Sequence, residues 1–181
     1  SQARNEVGRM STIALTMLRD TEHAIQKNDK TKMDKISEYE ETLDGFRNEI
    51  IDFLDKLQQK SVSQKALTTI EGLRHVTHAL EEIGDTAVKL MKITFKMLDK
   101  KQDLSKTARK ELNEMFDAVN KFASVTFKAF YTNRIQTEEE LAIEDEIDKY
   151  HKQFRKNHIK RLNKGLCNVE IGIHFVDILN Y

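Results

Sequence analysis

Across 181 residues the chain contains no proline, and that absence limits its fold more than any other feature. Average usage of about 5% would place roughly nine prolines in such a length. Proline lacks a backbone N–H and its ring clashes with the preceding turn, so each one would break or kink a helix. Glycine, the other common breaker, occurs only six times. Long uninterrupted helices follow, and 33% charged residues supply them with solvated faces. The expected fold class is all-α, built as a helical bundle.

Apolar residues at helical spacing divide the chain into six segments. The first covers residues 3–27, with Val7, Met10, Ala14, Met17 and Leu18 on one face. After the polar turn Asn28–Thr31, a second runs to about Lys60 along Met33, Ile36, Leu43, Ile50, Leu54 and Leu57. A third runs to Asp99, with Ile70, Leu73, Leu80, Ala87 and Leu90 inward; Ser61 and Gln64 have the spacing of a capping box at its start. Lys100–Asp103 is a polar linker. The fourth segment spans 105–132 with Leu112, Met115, Val119 and Phe122 inward, and the fifth opens on a second capping box, Thr137 and Glu140. Gly165 suits the C-terminal cap that follows, and a sixth segment starts near Leu166. It is still apolar and periodic at Tyr181, as expected of a helix cut short. Leu43, Leu80, Ile83, Leu112 and Ile147 are the expected core.

Helices one to three and four to six repeat at an offset of about 104 residues. The repeat is marked by carboxylates four apart: Glu40 with Asp44, and Glu144 with Asp148. A third pair, Glu81 with Asp85, lies in the third helix. On a helix such residues lie one above the other, and two like charges there are mildly unfavourable. Protonation, basic partners or a cation would relieve them. Carboxylate oxygens suit Mg²⁺ and Mn²⁺, and bridging carboxylates can hold iron. The plainer reading is a solvated acidic face, which 30 acidic residues produce readily.

Other classes find less support. Thirty basic residues balance the thirty acidic ones, so net charge argues for neither nucleic acid nor an anionic membrane. A single cysteine, Cys167, precludes an intrachain disulfide and fits a reducing, cytoplasmic setting. The most apolar stretch, Val88–Leu98, is broken by Lys89, Lys92 and Lys96, well short of the ~20 apolar residues of a membrane span. The start, Ser1 to Glu6, does not read as a signal peptide. Asp148 with His151 gives half a di-iron spacing, but the Glu-x-x-His segments of ferritin-like sites are absent. Glu170 with His174 reads as a surface pair, and no nucleophilic constellation or phosphate loop is present. The basic run Arg155–Arg161 reads as a solvated face balanced by the acidic run 138–148.

The segment Leu80-Glu81-Glu82-Ile83-Gly84-Asp85 resembles the Leu-Glu-x-Ile-Gly-Asp signature of PhoU domains, and Glu40/Asp44 and Glu144/Asp148 fit the acidic pattern in the second helix of each PhoU repeat. Leu73–Val76, Arg155–His158 and the run from Gly172 to Leu179 are similar to the PhoU-like cytosolic tails of bacterial sodium/phosphate cotransporters. The resemblance implies two antiparallel three-helix bundles in a tandem, pseudo-symmetric repeat, 1–100 and 104–181, within one PhoU-like domain. It implies a non-enzymatic regulatory region at the inner face of the cell membrane, partnered by the transmembrane transporter portion of the same or another chain, and able to form a homodimer. A free-standing PhoU regulator of phosphate uptake and signalling is the alternative within the family. A metal-dependent helical-bundle enzyme and a plain scaffold are alternatives outside it.

Some relatives of that kind bind iron or other metals through such acidic motifs. On that basis Glu81, Asp85, Glu40 and Asp44 are the expected metal ligands, for iron, manganese or magnesium, with Glu144 and Asp148 a weaker set. Two departures weigh on this expectation. Thr86 stands where the signature often has His, and the second repeat's own signature would fall just after Tyr181.

Overall fold

The computed structural model describes residues 2–60, 63–132 and 138–181, and among them every regular element is helical. In chain order these are α1 (Gln2–Lys27), a single 3-10 turn (Lys30–Lys32), α2 (Met33–Gln58), α3 (Gln64–Asp99), α4 (Lys106–Thr132), α5 (Glu138–Asn163) and α6 (Val169–Asn180). The third helix is the longest, at 36 residues. Two compact units divide within α3, residues 1–91 and 92–181.

In the first unit, α1, α2 and the adjoining length of α3 bury one apolar stripe each. Val7, Met10, Ala14 and Met17 of α1 meet Ile36, Leu43, Ile50 and Leu54 of α2 and Ile70, Leu73 and Leu80 of α3, all closed to solvent. Burial of this kind, not helix propensity, stabilises helices in a folded chain. Thr21 and Thr77 are also fully buried, and each hydroxyl donates to a carbonyl one turn back, on Met17 and Leu73, at 2.8 Å. Both hydroxyls are thereby paired among the apolar side chains. Chain directions follow from the contacts. Lys32 pairs with Asp20 and Arg9 lies over the Phe46 ring, so α1 and α2 run antiparallel. Arg74 reaches Asp55 while Arg47 faces Glu81, so α2 and α3 do likewise.

In the second unit, Leu112 of α4, Ile143 and Phe154 of α5, and Phe175 and Ile178 of α6 form the core. His158 lies beside Phe175, and His151 meets Asn180, which sets α6 antiparallel to α5. Two stripes differ from the sequence reading. On α4 the buried line is Ala108, Glu111, Leu112 and Phe116, with Met115, Val119 and Phe122 only half-buried. Ile147 is half-buried because it lies a turn beyond the His151–Asn180 contact. In the first unit Ile83 is half-buried too, at the edge of the α3 face formed by Leu80, Gly84 and Ala87.

Helix ends follow local chemistry. Ser61 and Thr137, expected to cap α3 and α5, lie outside the described residues, as does the Met33 side chain. The Ser63 hydroxyl accepts from the Ala66 amide at 3.3 Å, and Ser105 accepts from Ala108 at 3.1 Å. The sixth helix begins at Val169, not Leu166, because the Asn168 side chain accepts from the amides of Glu170 and Ile171. Gly165 takes φ of +66°, and the Leu166 amide returns to the Arg161 carbonyl at 2.9 Å, the helix-ending motif that glycine favours. Among the described residues no helix is long and apolar enough to cross a membrane.

Candidate functional site

Where α3 passes α1 and α2, Gly84 is a point of close approach. A Cβ built on it would stand 2.5 Å from Leu43 Cδ1 and 3.6 Å from Met17 Sδ. The missing side chain therefore admits neighbouring helices, and apolar groups fill the crossing. The signature residues on either side, Glu81 and Asp85, are half-buried at its margin. On α2, Glu40 is half-buried and Asp44 exposed.

Arginines line the α2–α3 seam. Arg47 Nε is 4.0 Å from Glu81 Oε2, and that nitrogen is buried without a hydrogen bond. Farther along, Arg74 donates to Asp55 at 2.8 Å and to Gln58 at 3.1 Å. Of the three ways to relieve the acidic pairs, basic partners are the one visible at Glu81. Among the described residues no three His, Cys, Asp or Glu side chains are grouped to hold a metal ion. Each carboxylate pair as placed supplies donors from one helix, fewer than the six or so oxygens that a hard cation takes. Glu144 and Asp148 are exposed on α5, in the second unit.

An enclosed pair of opposite charges in the second unit lies elsewhere, on α4 and α5. Glu111 accepts two hydrogen bonds from Arg161, 3.0 Å to Oε1 and 2.8 Å to Oε2, and a third from Asn157 at 2.9 Å. Arg161 Cζ also lies 5.3 Å from the centre of the Phe175 ring. Beside it, His158 is 3% exposed, and a Cβ on Gly172 would meet its Cε1 at 2.5 Å. Burial first, then the Arg161 charge, pull the imidazole below its ordinary 6.5, against an opposite pull from Glu111. Sequence reading missed this group. Its signal was a charge inside each of two inward stripes: Glu111 between Ala108 and Leu112, and Arg161 one turn from His158 and two from Phe154.

Residues 7–94 match the sequence model of the PhoU domain. This stretch is a PhoU domain. It contains the α1–α2–α3 core, Gly84, and the pairs Glu40/Asp44 and Glu81/Asp85. The solved crystal structure of PhoU from Pseudomonas aeruginosa is similar in fold, with a TM-score of 0.87 at 14% identity, over 99% of this chain and 86% of that one. At that identity the likeness shows the fold, an all-helical PhoU-like one. No curated protein sequence matches the chain.

Proposed function

We propose that this PhoU-like chain is a non-enzymatic regulator of phosphate homeostasis, the cytosolic region of a sodium-dependent phosphate cotransporter that adjusts uptake to phosphate supply. The PhoU domain over residues 7–94 is the observation that carries this reading, because the domain is regulatory and not catalytic. The PhoU-like fold of both halves supports it. The finer step, from PhoU-like regulator to cotransporter tail, rests on the likeness of Leu73–Val76 and the α5–α6 segment to such tails. The same domain fits a free-standing regulator of a phosphate transporter and its sensor kinase.

In either reading the chain acts by contact at the inner face of the membrane, so its surfaces matter. Removing the coding sequence for residues 1–181 and following labelled-phosphate uptake tests this directly. In phosphate-rich and phosphate-poor cells, the expected result is uptake that persists but no longer adjusts to supply. Unchanged adjustment would overturn the proposal. About eight to ten apolar spans of ~20 residues encoded upstream in the same gene identify the cotransporter tail, and their absence the free-standing regulator.

A further inference from the structure

Between Lys152 and Val169 the chain carries six basic residues and no acidic one, a segregation that its zero net charge conceals. Arg161 is ion-paired to Glu111. The other five, Lys152, Arg155, Lys156, Lys160 and Lys164, are exposed, and no ion pair holds them among the described residues. Neighbouring acids do little to neutralise them. Glu170 is already held by Lys100 and Gln102. Asp148 stands one turn from Lys152 but ~18 Å along the helix from Lys160, about twice the screening length in physiological salt.

Exposed apolar residues lie on the same side. Lys152, Arg155 and Lys156 precede Ile159 by seven, four and three residues, so all four project from one face of α5. Beside Ile159, helices α5 and α6 leave an open groove of about 270 Å³, where Arg155 is the one basic residue of the lining other than His158, and Asp177 the one acid. Across the groove stand Val169 and Ile173, one turn apart on α6 and 67% and 56% exposed. Leu166, in the turn that joins the two helices, is 69% exposed.

We propose that this basic and apolar face of the α5–α6 hairpin binds the surface of a bilayer containing anionic phospholipid. Exposed aliphatic side chains bordered by lysines are the chemistry of a helix that lies on such a surface, its apolar groups entering the acyl boundary and its cations meeting the headgroups. Four of the five free cations are lysines. Lysine is a compact point charge suited to a diffuse anionic layer, whereas the cores of protein interfaces are depleted of it and favour arginine. Each cation near such a layer strengthens binding about fivefold. The inference goes beyond the regulatory reading, since a chain can act beside a membrane through a transporter alone without touching lipid.

Flotation of the complete 181-residue chain with vesicles of phosphatidylcholine, alone or mixed with phosphatidylglycerol, tests the proposal. The wild type is expected to float with the mixed vesicles, less so at high salt, and not with phosphatidylcholine alone. Lys156→Glu with Lys160→Glu should weaken binding about tenfold or more. Lys56→Glu with Lys60→Glu, at exposed positions of the first unit, makes the same change in net charge and should leave binding as in the wild type. The chain has no tryptophan, so Ile173→Trp supplies a single reporter. Its emission should move to the blue on the mixed vesicles, while that of Phe53→Trp, on the first unit, should not. Matching circular dichroism checks that the variants fold.

A wild type that floats with neither vesicle would overturn the proposal and leave the face to a protein partner, a second copy included. Equal binding to both vesicles, a first-unit pair that weakens binding as much as the α5 pair, or an unshifted Ile173→Trp would each overturn it as well. No transporter is present in this measurement, so its failure leaves the regulatory reading standing.

Discussion

Arg161 holds the Glu111 carboxylate with two parallel hydrogen bonds while its guanidinium lies against Phe175, tying α4, α5 and α6 at one point. Side-chain exposures of 15% and 8% put this pair largely out of water. Removing one partner leaves the other desolvated without its counter-charge, which typically costs 3–5 kcal/mol. Because Arg161 keeps its ring contact and some solvent, Glu111→Ala is expected near the low end, about 3 kcal/mol. Replacing both, as Glu111→Leu with Arg161→Met, should recover most of that. Denaturant unfolding of the three variants measures it.

His158 makes stability depend on pH. Its imidazole is held below 6.5 in the fold, so in mild acid the unfolded chain takes up the proton first. Its contribution is complete above about pH 6.5 and is lost as pH falls through the folded value. Between about pH 7.5 and pH 5.5, wild type should lose more stability than His158→Gln. Equal losses would show that other groups set the slope.

At the α3 crossing, the added methyl of Gly84→Ala meets only the end of Leu43, and a helix-propensity gain of about 1 kcal/mol offsets the crowding. Gly84→Val has no such room and should cost about 2–3 kcal/mol by overpacking. Leu43→Ala costs several kcal/mol alone but should cost much less on the Gly84→Val background, a non-additivity read by a double-mutant cycle.

Mn²⁺, Mg²⁺ or Fe³⁺ tests the carboxylate pairs. With Arg47 beside Glu81 and, among the described residues, no third donor grouped with either pair, these ions should leave the melting temperature unchanged. Cation-dependent stabilisation that Asp85→Asn abolishes would assign the acids to a metal.

The pattern of buried and exposed residues explains which of these features could be read from sequence. Helix number and extent followed from the missing prolines and the apolar spacing, and Leu43, Leu80 and Leu112 are buried as that spacing predicts. Gly84 was legible in principle, because a glycine inside an inward stripe signals close approach. Ile83 and Ile147 were harder to place, since periodicity gives a stripe but not its edge or where a neighbouring helix covers it. Glu111 with Arg161 was hidden because composition treats a charge as solvated, and only the α4–α5 pairing brings the two together. Asn168 displaced the start of α6 because its side chain captures two amides that Leu166 cannot.

The central claim is that this chain regulates phosphate transport by direct action. The most direct measurement is the initial rate of labelled-phosphate uptake into vesicles holding the membrane portion of the transporter, with residues 1–181 added back in increasing amounts. The account predicts a rate that changes as the chain is added and levels off when the transporter is saturated. A rate that stays the same at every amount, with folded chain present, would contradict it.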